Sequence, residues 1–133
     1  MKEFTSQICT IAEQSQRLLD FGLKPKTADM ELVYNIFSKT YEPLTKAFPT
    51  SNKYEIPAWS LHRLIELLPQ DIHLDDYADT HYYLTINPFK VIYVNSHRLW
   101  IYQRDEGCLY DKLIDTIEWT IKNNFFNKEF LNE

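Results

Sequence analysis

Glycine is scarce in this 133-residue chain. Gly22 and Gly107 are the two it has, and phosphate-cradling turns need several glycines for positive φ angles and close backbone approach. Nucleotide binding of that type is therefore argued against. Cysteine is equally scarce: Cys9 and Cys108 lie far apart and form no C-x-x-C motif. That excludes a disulfide framework or a cysteine zinc site and reads as two reduced thiols in a cytoplasmic protein. No run of Lys or Arg occurs and the net charge is −5, so the basic footprint that phosphate contacts require is missing and a nucleic-acid partner is not expected. Long apolar runs are missing too. Polar residues interrupt every one, including those in MKEFTSQICTIAEQ at the start, so neither a signal peptide nor a membrane span is read. Internal repeats and low-complexity segments are absent.

Apolar and aromatic residues are plentiful. Hydrophobic residues make up 44% and aromatics 15%, nine of them tyrosine, which excludes disorder. The length suits a single domain over 1–133 with its own core.

The chain is organised around residues 81–124. HYYLTI (81–86), VIYV (91–94) and LWIY (99–102) are rich in β-branched and aromatic residues, and turn formers separate them at 87–90 and 95–98. This predicts an antiparallel meander. With tight loops, residues 84, 93 and 100 become neighbours, as do 86, 91 and 102. Tyr82, Leu84, Ile86, Val91, Tyr93, Trp100 and Tyr102 then share one face. Neither face is polar, so both are expected to be covered. Tyr110, Leu113, Ile114, Ile117 and Ile121 recur at helical spacing and predict a final helix. Lys112 lies off that stripe, and Trp119 either caps the core edge or meets a partner.

Before this unit, a helix capped by Thr5 or Ser6 carries Ile8, Ile11, Ala12, Leu18 and Leu19 and stops at Gly22. Ala28–Ile36 alternates as a half-buried strand at a sheet edge. Residues 37–57, punctuated by Pro43, Pro49 and Pro57, read as an irregular aromatic-rich loop packed on the sheet. A strand or hairpin hidden near 41–47 is the alternative. Ser60 caps a short helix closed by Pro69, with His62 and Arg63 solvated. Residues 70–80 form an acidic connection, and 125–133 an apolar tail. The expected fold is α+β: one small antiparallel sheet, the meander plus the N-terminal strand, packed with about three helices in the order α-β-α-β-β-β-α.

Two sets of residues are candidates for function. His73, Asp75, Asp79 and His81 alternate imidazole and carboxylate as metal ligands do, although a solvated acidic loop is the simpler reading. Tyr93, Trp100, Tyr102, Trp119, Phe125 and Phe126 are a candidate interaction surface. No catalytic constellation emerges and no cofactor is called for.

The segments IPAWSLHRLIELLP (56–69), YLTINPFKVIYV (83–94) and LYDKLIDTIEWTIKNN (109–124) resemble a group of small uncharacterised proteins encoded by phages, prophages and mobile elements of gut bacteria. That resemblance implies an α+β fold, a bacterial or phage cytoplasmic setting and an accessory role. It implies no site residue. The reading is a non-catalytic protein that binds a protein partner or itself. The alternatives are a small metal-dependent hydrolase using the cluster at 73–81, and an acidic decoy of a host nucleic-acid-binding protein.

Overall fold

The computed structural model describes residues 7–45, 55–74 and 80–132. The fold is α+β, with two small antiparallel sheets where the sequence suggested one. The chain divides into two compact units, residues 1–64 with 129–133 and residues 65–128.

In the first unit, helix α1 (Ala12–Asp20) precedes strands β1 (Met30–Asn35), β2 (Thr40–Thr45) and β3 (Glu55–Ala58); helix α2 (Leu61–Leu67) follows and contains the boundary between the units. α1 starts later than expected. The Gln14 side chain accepts from the Ile11 N–H at 3.1 Å, which leaves Ile8 and Ile11 ahead of the helix and exposed. The proposed caps Thr5 and Ser6 lie outside the described residues. The helix ends as the sequence indicates. Gly22 adopts φ +94°, its N–H bonds the Leu19 carbonyl, and the Leu23 N–H bonds the Leu18 carbonyl. This paired closure needs a left-handed residue and buries Leu23 completely.

β1 is the central strand of the order β2-β1-β3, a correction to its predicted edge position. The stretch 37–57, read as irregular, supplies both neighbours, and of the alternative near 41–47 it is the strand that is observed, β2 at Thr40–Thr45. Pro43 and Pro57 misled the reading because they sit within strands. Pro43 pairs with Leu32 and Pro57 with Glu31. Both are on edge strands, where a missing N–H need not break the ladder. Met30, Leu32 and Ala58 pack with Cys9 in this unit's core, flanked by Ala12 and Ile56. Burial, with Asp29 adding to it, pushes the Cys9 thiol pKa up, so the thiol stays protonated and inert.

Trp59 is the largest fully buried side chain here. Its indole N–H donates to Thr27 Oγ1 at 3.0 Å, and Thr27 Oγ1 donates to the Lys24 carbonyl at 2.7 Å. The Trp59 N–H donates to Thr10 Oγ1 at 3.1 Å, which is 2.8 Å from Ser15 Oγ. Ser60 caps α2 as expected: its Oγ accepts from the Arg63 N–H at 3.1 Å and donates to Asp29 at 2.5 Å. Arg63 is half-buried rather than solvated, because its Nε donates to the Thr27 carbonyl at 2.7 Å. The end of the tail is tied down by the Lys24 N–H to the Phe130 carbonyl (2.8 Å) and the Asn132 N–H to the Gly22 carbonyl (2.7 Å).

The second unit holds strands β4 (Asp71–Leu74), β5 (Thr80–Ile86), β6 (Val91–Val94) and β7 (Trp100–Arg104), ordered β4-β5-β6-β7, and helix α3 (Leu109–Lys122). β4 was expected as part of an acidic connection. The β5–β6 register is as predicted, with Leu84 opposite Tyr93 and Ile86 opposite Val91. The β6–β7 register differs. The turn closes on an Asn95 N–H to Leu99 carbonyl bond of 2.8 Å, one residue wider than a tight loop. A bulge then separates Val94 opposite Trp100 from Tyr93 opposite Tyr102. Each one-residue step flips side chains between faces. Tyr102 takes both steps and stays with Tyr93, whereas Trp100 takes one and moves to the face of Val94 and Tyr83.

α3 covers the Tyr93 face. Tyr110, Leu113, Ile114 and Ile117 are buried beneath it. Lys112, which lies off the apolar stripe, is buried as well. Its ammonium donates to the Phe89 carbonyl at 2.8 Å, which ties the β5–β6 loop to the helix.

Candidate interaction surface

The structure describes only part of the first predicted set of functional residues and separates the second by burial. Of the proposed metal ligands, Asp75 and Asp79 lie outside the described residues. His73 and His81 are cross-strand partners on β4 and β5, and their rings stack at 4.3 Å with planes 15° apart. His81 Nδ1 contacts Asp71 at 2.8 Å. Ring nitrogens bind a metal in the ring plane, so two nearly parallel rings do not converge on a shared ion. Among the described residues no group of three or more His, Cys, Asp or Glu is placed to hold a metal.

The six predicted aromatics separate by burial. Tyr93 and Phe126 are buried. Trp119 caps the core edge, its ring 4.6 Å from Tyr102, 5.5 Å from Phe125 and 5.9 Å from Tyr93. Tyr93 donates its hydroxyl to the Pro69 carbonyl at 2.8 Å. Burial, with Tyr102 adding to it, drives the Tyr93 phenol pKa far above the usual tyrosine range, and burial raises Tyr102 also. Trp100 is the one of the six that stands in solvent, 57% exposed. The sheet face it shares with Tyr83 and Thr85 is open there and closed at Ile92, so only one face of the meander has the full cover expected.

A different element presents the larger apolar surface. The β1–β2 hairpin of the first unit turns through Ile36–Lys39. Asn35 builds that turn. Its Oδ1 accepts from the Phe37 N–H at 2.9 Å and from the Ser38 N–H at 3.4 Å, and its carbonyl accepts from the Lys39 N–H at 2.8 Å. Lys39 takes φ +58°. Asn35 Nδ2 donates to Glu42 at 3.1 Å, and Ser38 Oγ lies 2.8 Å from Thr40 Oγ1. This side-chain turn fixes the backbone without help from the side chains at its tip. Those side chains are Ile36, 70% exposed, and Phe37, 92% exposed. Tyr34 and Tyr41, paired across the strands with ring centroids 5.3 Å apart, continue the surface. Along this face β1 runs from buried Met30 and Leu32 to open Tyr34, and Ile36 follows in the turn.

Beside the hairpin base is a shallow pocket of about 200 Å³, lined by Ile8, Cys9, Ile11, Leu32, Tyr41 and Pro43 with polar Gln7 and Thr10. The sequence signal for the tip was an Asn between two segments of alternating polarity. The prolines that follow concealed it.

Among the described residues no helix is long and apolar enough to cross a membrane. No family model, curated protein or solved structure matches the chain.

Proposed function

We propose that this chain is a non-catalytic accessory protein, of the kind encoded by phages and prophages, that acts by gripping a protein partner through the β1–β2 hairpin. The observation that supports the reading is the fixed tip. A loop residue in water needs no large apolar side chain, yet Asn35 spends its hydrogen bonds holding Ile36 and Phe37 outward. Rigid aromatic anchors of this sort dominate protein interfaces. They also lose little conformational entropy on binding. The three segments that resemble phage and prophage proteins supply the setting.

The test is affinity capture with the wild-type chain and with Phe37→Asp, followed by competition. The reading expects a partner that the wild type retains and Phe37→Asp does not, released by added free wild type only. Identical captures with both proteins would refute it.

A further inference from the structure

The knob and the pocket belong to the same unit, and their chemistry matches. We propose that the partner is a second copy of this chain, and that two protomers exchange hairpins so that Phe37 of each enters the Ile8–Ile11–Leu32–Tyr41–Pro43 pocket of the other. The inference rests on the reading of the hairpin as the contact element and goes further by naming its occupant.

Size is the first support. A cavity of about 150 Å³ lined by aliphatic side chains accepts benzene, and this pocket has about 200 Å³. Phe37, at 92% exposed, does not fill the pocket of its own chain. Closure is the second. Knob and hole on one unit allow a two-fold exchange in which both contacts form at once, giving a closed pair. Area is the third. Ile8, Ile11, Tyr34, Ile36, Phe37 and Tyr41 are all exposed large apolar side chains. At an aromatic payload of 150–250 Å² each and somewhat less for isoleucine, their exposed fractions amount to roughly 600–700 Å² per protomer. A stable interface needs about 800 Å² per partner, polar rim included, so these side chains supply most of it.

The charge balance sets a further expectation. Each copy carries −5, so the copies repel at long range and added salt screens that repulsion. The pair is expected to tighten with salt.

Sedimentation equilibrium of the full chain tests the proposal. Expected is a monomer–dimer equilibrium with a micromolar constant, between about 5 and 500 µM protein. Phe37→Asp removes the knob and Ile8→Asp spoils the pocket. Both are exposed positions whose variants keep the wild-type circular dichroism, and each alone weakens pairing at least tenfold. Mixing the two variants restores part of the pairing, because one intact knob meets one intact pocket. A wild type that is monomeric at about 500 µM overturns the inference, as does a dimer indifferent to both substitutions. A monomeric wild type whose other partner is still lost on Phe37→Asp overturns the dimer alone and leaves the hairpin reading in place.

Discussion

Replacing Thr27 with valine tests the account of the first unit's core. The substitution keeps the side-chain shape and turns one hydroxyl into a methyl. That hydroxyl accepts from Trp59 Nε1 at 3.0 Å and donates to the Lys24 carbonyl at 2.7 Å. Trp59 is fully buried and Thr27 nearly so, so the indole N–H cannot turn to water. Stranding it costs about 1–3 kcal/mol, and losing the bond to Lys24 about 1 more. Thr27→Val is therefore expected to destabilise by about 2–4 kcal/mol, a large share of a stability of about 5–15. With a urea dependence of about 1–3 kcal/mol per molar, the midpoint falls by about 1–2 M. Urea titration followed by far-ultraviolet circular dichroism gives the number. Trp59→Phe removes the donor instead, and the double variant leaves no stranded N–H. It is expected to be about 1–2 kcal/mol less destabilised than the two single effects added. A cost below about 0.5 kcal/mol for Thr27→Val, or strict additivity in the cycle, would refute the reasoning.

Three further expectations concern other elements. Tyr93 has a raised pKa, so between about pH 10 and its folded-state value only the unfolded chain gives up this proton. Its stabilising contribution is complete below about pH 10 and drains away as the pH climbs. Tyr93→Phe should cost about 1 kcal/mol at neutral pH through its bond to Pro69 and should flatten the alkaline fall in melting temperature; an unchanged slope would count against buried ionisation. Gly22→Ala meets no steric neighbour but places a β-carbon at φ +94°, for about 1–2 kcal/mol and a melting temperature several degrees lower by calorimetry. Lys112→Met keeps the buried stem and deletes the ammonium that holds the Phe89 carbonyl. Amide exchange at Phe89 and Lys90 should quicken about tenfold while Leu113 and Ile114 stay protected, and unchanged exchange in the loop would remove its role as a tether.

Where structure depends on neighbours in sequence, the chain was legible. Gly22 stops α1, Ser60 caps α2, the apolar stripe of α3 is buried, and the β5–β6 hairpin keeps its expected register, because each is decided within a few residues. Contacts between distant residues were hidden. Trp59 and Thr27 meet only in three dimensions, and Arg63 looked solvated because its charge was judged without the Thr27 carbonyl that it bonds. The register of β7 turned on a wider turn and a bulge that no residue type announces; the turn carried Trp100 out of the predicted aromatic cluster and the bulge returned Tyr102 to it. Prolines 43 and 57 were taken as breaks, although an edge strand tolerates them, and so the hairpin with the most exposed aromatic side chain among the described residues was passed over.

Those same two prolines limit how this molecule can polymerise. A naked sheet border invites incoming chains to add rung after rung, the route by which β proteins drift into fibrils. Here Pro43 and Pro57 each delete a rung from the two outer borders of the three-stranded sheet. At that sheet, neighbouring copies are therefore steered to meet through tyrosine and phenylalanine side chains, and such contacts come apart again on dilution.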